Sequence, residues 1–232
     1  MAQRSLNASQ GRLRFEALTM PDPKNAKNVP IRIVLTGGPG AGKTAVLEVV
    51  RKHFCAHVAV LPEAASIVYS GGFPRRKEAA YRRAAQRAIF HVQSELERAV
   101  VEDGRAAVAL CDRGTIDGLA YWPDDPSRFF AEVKSSLEEE LSHYSAVIHL
   151  RTPTASYGYN HQNPLRIESV DEALQIDARI AEVWKRHPRR FLVDPEGEFL
   201  AKVRHVLELI RREVPECYRA HLPAEVRACD PR

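Results

Sequence analysis

Cysteine is scarce and unpatterned in this sequence. Its four cysteines, Cys55, Cys111, Cys217 and Cys229, form no CxxC pair. That spacing argues against a disulfide framework and for buried, reduced thiols, so a cytoplasmic compartment is expected. Zinc ligation is disfavoured too. His53 and His57 stand at HxxxH spacing, but no carboxylate lies between them to act as a base, and they straddle a predicted helix end. No apolar run approaches the ~20 residues that span a bilayer. The amino terminus lacks a basic start, an apolar stretch and a small-residue cleavage site, so the protein is expected to stay where it is made, off the membrane. Internal repeats and low-complexity segments are missing as well. Nor does one sign of charge dominate: 34 Lys and Arg face 30 Asp and Glu, a formal net charge of +4. That mild excess suits an anionic substrate and falls short of a nucleic-acid-binding signature.

What remains is an ordinary globular balance, 44% hydrophobic and 28% charged over 232 residues. The length supports one sizeable α/β core rather than two domains. Residues 1–28 are polar, carry Pro21 and Pro23, and read as a flexible leader. From residue 29 the pattern changes. Short apolar, β-branched runs at 31–36, 58–61, 106–111, 146–150 and 191–193 read as strands. Between them, helical periodicity covers the segment after residue 43, then 75–103 with Gly104 as its stop, 129–142, 171–186 and 198–213. A tail over 215–232 has no clear period. Strands alternating with helices predict a three-layer α/β sandwich: a five-stranded, mainly parallel sheet with helices on both faces. Ligands of such sheets bind beyond the carboxyl ends of the strands. The polar residues there are 37–44, Glu63, Asp112-Arg113, Arg151 and Asp194.

The first of these sets is the strongest signal in the chain. Gly37, Gly38, Pro39, Gly40, Ala41, Gly42, Lys43 and Thr44 match GxxxxGK[ST] in full, with an apolar strand before and a helix after. Glycines let the backbone turn its N–H groups toward phosphate oxygens, and the helix N-terminus adds its dipole. Lys43 is placed to reach the β- and γ-phosphates of a nucleoside triphosphate, and Thr44 to offer its hydroxyl to Mg²⁺. The motif defines a P-loop NTPase fold but does not separate kinase from ATPase.

Glu63 directly follows the second strand. With that strand beside the P-loop strand, its carboxylate faces the space beyond the γ-phosphate and can take the proton of an attacking hydroxyl. Alternatively it only serves the following helix N-terminus. Asp112 ends the third strand as a Walker B carboxylate would, holding hydrated Mg²⁺, and Arg113 is poised for phosphate or for a structural salt bridge. Asp117 supports Arg113 or caps a helix.

These residues lie in GGPGAGKT, LPEAAS, QRAIFHVQSELE and CDRGTIDGLAYW, a series that resembles the AAA_28 group of P-loop proteins from about residue 29 to 213. These are nucleotide-kinase-like ATP-binding domains related to the ribosylnicotinamide kinase domain of NadR proteins. The Glu63 and Asp112-Arg113 pairing also resembles deoxynucleoside kinases, with Gly114 where those enzymes carry Ser. The resemblance implies one kinase-like domain over 29–214, with a lid at about 152–177. Arg166, or alternatively Arg179, would close over the phosphates there, and Tyr157, Tyr159 and Asn160 fit a mobile loop. It further implies an acceptor pocket. Gln86, Phe90, Gln93 and Glu97 fall on one helical face, and Tyr121 and Trp122 stand near it in the pattern; a packed core face is the alternative. Residues 194–197 would border the adenine, and the absence of an NKxD guanine motif favours ATP. Arg75, Arg76, Lys77, Arg82, Arg83 and Arg87 form a basic cluster, read either as a solvated face or as a polyanion contact. The expectation is an ATP- and Mg²⁺-dependent kinase for a small nucleoside- or nucleotide-like acceptor. The alternatives are a regulatory ATPase acting on a protein partner and a polynucleotide kinase.

Overall fold

The computed structural model describes residues 29–54, 57–153, 169–194 and 199–214. The leader, the tail, Arg166 and most of the expected lid therefore lie outside the described residues, as do Cys55, Cys217 and Cys229. Five parallel strands form a single sheet in the order β2-β3-β1-β4-β5. They are β1 (Ile31–Thr36), β2 (Val58–Leu61), β3 (Val108–Asp112), β4 (Ala146–Leu150) and β5 (Arg190–Val193). Helices α1 (Lys43–His53), α2 (Ala64–Ser70), α3 (Ala79–Asp103), α4 (Pro126–Val133), α5 (Leu137–Ser142), α6 (Val170–Val183) and α7 (Phe199–Glu213) connect them, with a 3-10 segment over Thr115–Tyr121. Among the described residues no helix is long and apolar enough to cross a membrane.

The strand order corrects one expectation. β3, not β2, lies beside the P-loop strand, and β2 is an edge. Burial shows why. β3 is buried at its first four positions and takes a central place, whereas the first three residues of β2 are only partly covered. The helix expected over 75–103 is α3, which begins at Ala79 and closes at Gly104 (φ 67°), and the short helix α2 precedes it. The stretch 129–142 is split, into α4 and α5. Ser136 caps α5 by accepting from the Glu139 amide, which starts a second helix after the Lys134 turn.

Strand alternation divides the core between the two faces of the sheet. Ile33, Leu35, Val108, Leu110, Ile148 and Leu150 pack against Val46, Leu47 and Val50 of α1 and against Val206, Leu209 and Ile210 of α7. On the other face Val34, Ala109, Cys111 and Val147 meet Ile116, Ile180 and Trp184, with Leu96 and Val100 of α3 packed alongside. A third cluster joins Phe90, Trp122, Phe129 and Val133. There Phe129 meets Phe90 and Trp122 edge-to-face, with ring centroids 5.7 Å and 5.1 Å away.

A buried polar network lies beneath the second face. Glu97 (2% exposed) accepts from Arg32, Gln93 and Tyr144 at 3.2, 2.9 and 2.8 Å. Tyr144 also accepts from the Thr115 amide, and Thr115 donates to Glu140. Paired in this way, Glu97 joins α3 to β1. The aromatic cluster is what fastens α4 to α3. Phe129→Ala should therefore lose about 3–5 kcal/mol and lower the melting temperature by roughly 10 °C in a calorimetric scan. A loss under about 2 °C would mean that this cluster contributes no core.

Candidate active site

The strand register brings the site together. Leu35 pairs with Asp112 and Thr36 with His149, so the carboxyl ends of β3, β1 and β4 form one ledge under the glycine loop. Gly42 is the N-cap of α1 at φ 95°, a conformation open to glycine, and it lets Lys43 open the helix directly from the loop. Lys43 is buried and donates to the carbonyls of Gly37 (2.8 Å) and Gly38 (3.1 Å). Thr44, the next residue of α1, is exposed. This is the cradle expected from the motif, with its ammonium turned onto the loop.

Around Lys43 stand four charges from two strand ends. Arg113, immediately after β3, has φ 74°, a left-handed conformation rare for a residue with a β-carbon and costing on the order of 1–3 kcal/mol. Its amide still bonds the Leu35 carbonyl (3.1 Å), so the turn happens at the carboxyl end of β3. The guanidinium Nε donates to Glu63 (2.6 Å), and Nη1 reaches Asp117 at 3.3 Å. Glu63, the N-cap of α2, makes no capping bond with its side chain. It instead accepts from Arg113 and from Ser66 (2.5 Å). Although β2 is an edge strand, its last turn thus reaches the site through the length of Arg113.

Asp117 is the keystone beneath. It is 3% exposed and accepts from Thr36 Oγ1 (2.6 Å), Trp184 Nε1 (2.5 Å) and Arg113. One carboxylate therefore ties the end of β1, the 3-10 segment and the end of α6 to the site arginine.

Burial and charge set the protonation states. Burial is the largest influence on Lys43 and, with Arg113, lowers it to about 8, against the pull of Asp112, Glu63 and Asp117. Burial also raises Asp112, with Glu63 and Asp117 adding repulsion, and despite Lys43 and Arg113 the carboxyl sits at about 6. For Glu63 burial pushes upward as well. The charges of Arg113 and Lys43 and the bonds from Ser66 and Arg113 outweigh it and hold the carboxyl at about 2. Two neighbouring carboxylates are thus driven apart, one firmly ionised and one close to titration at neutral pH.

Asp112 Oδ1 is buried without a hydrogen-bond partner among the described residues. An orphaned carboxylate oxygen at a raised pKa, beside Lys43 and near the start of α1, fits a hydrated Mg²⁺ held jointly with Thr44.

The remaining sequence expectations fall as follows. Gln86, Phe90, Gln93 and Glu97 do share one face of α3, and that face is turned inward. Gln93 and Glu97 belong to the buried network with Arg32 and Tyr144, and Phe90 and Trp122 pack against Phe129. Gln86 lies against the 3-10 segment, its amide oxygen 2.8 Å from where a Gly118 β-carbon would stand. Arg179 is exposed on α6, whereas Asp177 two residues earlier is buried and bonded to His149 and Arg151 rather than to its neighbours on the helix. Of the basic cluster, Arg82 donates to the Tyr121 carbonyl, Arg83 pairs with Asp124 at 3.0 Å, and Arg87 pairs with Glu132. These three arginines brace α3 against the segment that follows β3.

The motifs give no site role to Asp177, His149, Thr36 or Lys202. Their signal was polar residues at apolar positions: Asp177 lies on the Ala173–Ile180 stripe of α6, and His149 lies within a wholly buried strand.

A family model described as an AAA domain, AAA_28, matches residues 32–202. No curated protein matches the sequence. The chain belongs to the AAA_28 family, whose P-loop domain binds nucleotide. The pKa pattern gives a test. Removing the buried charge of Asp112 by Asp112→Asn should relieve the penalty present above its unfolded value of 3.8 and growing up to about 6. The variant's melting temperature should exceed that of the nucleotide-free parent by a few degrees at pH 7.5, with the gap closing toward pH 4. A lower melting temperature at pH 7.5 would contradict this.

Proposed function

We propose that this AAA_28 protein is an ATP-dependent phosphotransferase that moves the γ-phosphate to a hydroxyl of a small nucleoside- or nucleotide-like acceptor. The observation that carries the proposal is the convergence of Glu63 on Arg113 (2.6 Å) beside Lys43 and Asp112. Held in this way at a second strand end, beyond the metal-side Asp112, Glu63 is placed to take the proton of an attacking hydroxyl.

In this reading the glycine-loop amides and Lys43 bind the β- and γ-phosphates, and Lys43 gives up its loop carbonyls to do so. Asp112 and Thr44 would hold Mg²⁺, which would neutralise charge on the triphosphate. Arg113 leaves Glu63 for the transferred phosphoryl group. Losing that ion pair raises the basicity of Glu63 from its depressed value, and the carboxylate takes the proton of the acceptor hydroxyl. The acceptor oxygen forms its bond to Pγ as the bond from Pγ to the bridging oxygen breaks, and ADP departs with that electron pair.

Gln86 is the acceptor contact best supported by position, lying against the segment that follows Arg113. The lack of a guanine-reading NKxD motif supports ATP over GTP. Arg83 and Arg87 are paired with acidic residues, which supports a small acceptor over a polynucleotide. The buried thiol of Cys111, raised by desolvation, suits the reducing cytoplasm.

The test is ATP consumption across a panel of nucleosides, nucleotides and related metabolites, with Lys43→Ala as the blank. One acceptor class should stimulate turnover. Glu63→Gln should then cut transfer by about 10²–10⁴-fold while ATP affinity changes by less than about threefold. A flat panel with slow, acceptor-independent hydrolysis would replace this reading with a regulatory ATPase that answers to a protein partner.

A further inference from the structure

The back of the glycine loop is as fully engaged as its phosphate-facing side. Asp177, on the buried stripe of α6, accepts the Gly38 amide at 2.8 Å on Oδ1. The same oxygen meets His149 Nε2 at 2.9 Å, and Oδ2 meets Arg151 Nε at 3.3 Å. The bond to His149, the Gly38 amide and further donors hold the Asp177 carboxyl below its ordinary value against the opposing effect of burial. An ionised carboxylate only accepts, so His149 carries its proton on Nε2.

Helix α6 approaches the loop so closely that Gly38 has no room for a side chain. A β-carbon there would stand 2.4 Å from Thr152 Oγ1, 2.9 Å from the Ala173 carbonyl and 2.9 Å from Asp177 Cβ. Thr152 itself donates to the Pro39 carbonyl at 3.3 Å. From α7, Lys202 Nζ donates to the carbonyls of Ala41 (3.1 Å) and Arg151 (3.0 Å). Asp177, Arg151 and Lys202 thus form a continuous chain that grips the loop at Gly38 and again at Ala41.

We propose that Asp177 and Lys202 are positioning residues that hold the glycine loop in its phosphate-binding shape before nucleotide arrives. The Gly38 N–H, fixed on α6, is not a phosphate donor. Its role is to orient the 37–38 peptide, whose Gly37 carbonyl receives Lys43. The Ala41 carbonyl, fixed on α7, sets the peptide that leads into Gly42 and the first turn of α1. With both ends clamped, the intervening amides keep their inward direction without phosphate, and binding pays less ordering entropy. The clamp also ties the loop mechanically to α6 and α7, so displacing either helix disturbs the cradle. This inference rests on nucleotide binding by the loop and is independent of whether phosphate is transferred.

The experiment measures MgATP affinity by titration calorimetry on full-length Asp177→Ala, Asp177→Asn and Lys202→Met, with the exposed α6 substitution Asp171→Asn as a control. Folding of each variant is checked by thermal melting. Asp177→Ala should raise Kd by about tenfold or more, since it removes a charged acceptor. Lys202→Met should raise it by about three- to tenfold. Asp177→Asn, which keeps an oxygen for the Gly38 amide, should fall between Asp177→Ala and the parent, and the control should not move.

A residue that served stability alone would lower the melting temperature and leave Kd of the folded protein unchanged. If both Asp177→Ala and Lys202→Met fold and bind within twofold of the parent, the proposal fails. Should Asp177→Ala not fold, hydrogen exchange in the parent decides. The Gly38 amide should be protected without nucleotide and gain little on adding it, and fast exchange without nucleotide would overturn the clamp. Altered Kd values with no transfer to any acceptor would sink the kinase reading alone. Transfer with unaltered Kd values would sink the clamp alone.

Discussion

The site is organised by one costly fact: a lysine ammonium buried at the carboxyl end of a parallel sheet. Lys43 is pulled down to about 8 by burial, and it stays largely protonated at neutral pH with Asp112, Glu63 and Asp117 nearby. Its own loop carbonyls satisfy two of its three protons. Around it two cations, Lys43 and Arg113, face three carboxylates. The set already leans negative when Asp112 is ionised, and that repulsion adds to burial in raising Asp112 to about 6. A triphosphate entering such a site brings several more negative charges. On the proposed reading two responses follow: a dication at the Asp112 oxygen that has no hydrogen-bond partner among the described residues, and the turning of Arg113 from Glu63 toward phosphate. On the proposed reading the second response is also what frees the base.

The rest of the fold works to keep these groups in place without a ligand. The central position of β3 puts Asp112 level with Leu35 of the P-loop strand, and the left-handed Arg113 then turns the chain so that its side chain runs toward the edge strand. Asp117 absorbs the other face of that guanidinium while binding Thr36 and Trp184, so the arginine is held by groups from three elements. Gly114 is required here for packing, since a β-carbon would stand 2.6 Å from the Trp184 ring. The aromatic cluster and the Glu97 network set the position of α3, and so of Gln86, at a distance from the charges themselves.

Much of this was legible from sequence because it depends on short-range pattern. Five apolar runs with helical segments between them gave the parallel α/β sheet, and GGPGAGKT located the cradle to the residue. Asp112-Arg113 was readable as a strand-end pair. Strand order was not, since nothing local distinguishes the neighbour of β1 from an edge. The weaker burial of β2 emerges only once the layers are assembled. The amphipathic face of α3 was visible, but which side of it met solvent depended on Arg32, Tyr144 and Phe129, each distant in sequence. Asp117 was readable as a support for Arg113, but its bonds to Thr36 and Trp184, and the role of Asp177, were hidden for the same reason. A lone carboxylate on an apolar stripe gains meaning only when its partners, 81 and 139 residues away, are seen to reach it.

The central claim is that a buried, depressed lysine waits for phosphate. It is tested most directly by proton uptake when ATP binds. At pH 8 Lys43 is close to half protonated, and the phosphates should raise its pKa, so binding should draw a sizeable fraction of a proton from the buffer. In titration calorimetry the apparent enthalpy should therefore change with the ionisation enthalpy of the buffer, and Lys43→Arg, which keeps the charge but does not titrate, should remove most of that dependence. Enthalpies that are the same in every buffer for the parent protein, or an uptake undiminished in Lys43→Arg, would contradict the account.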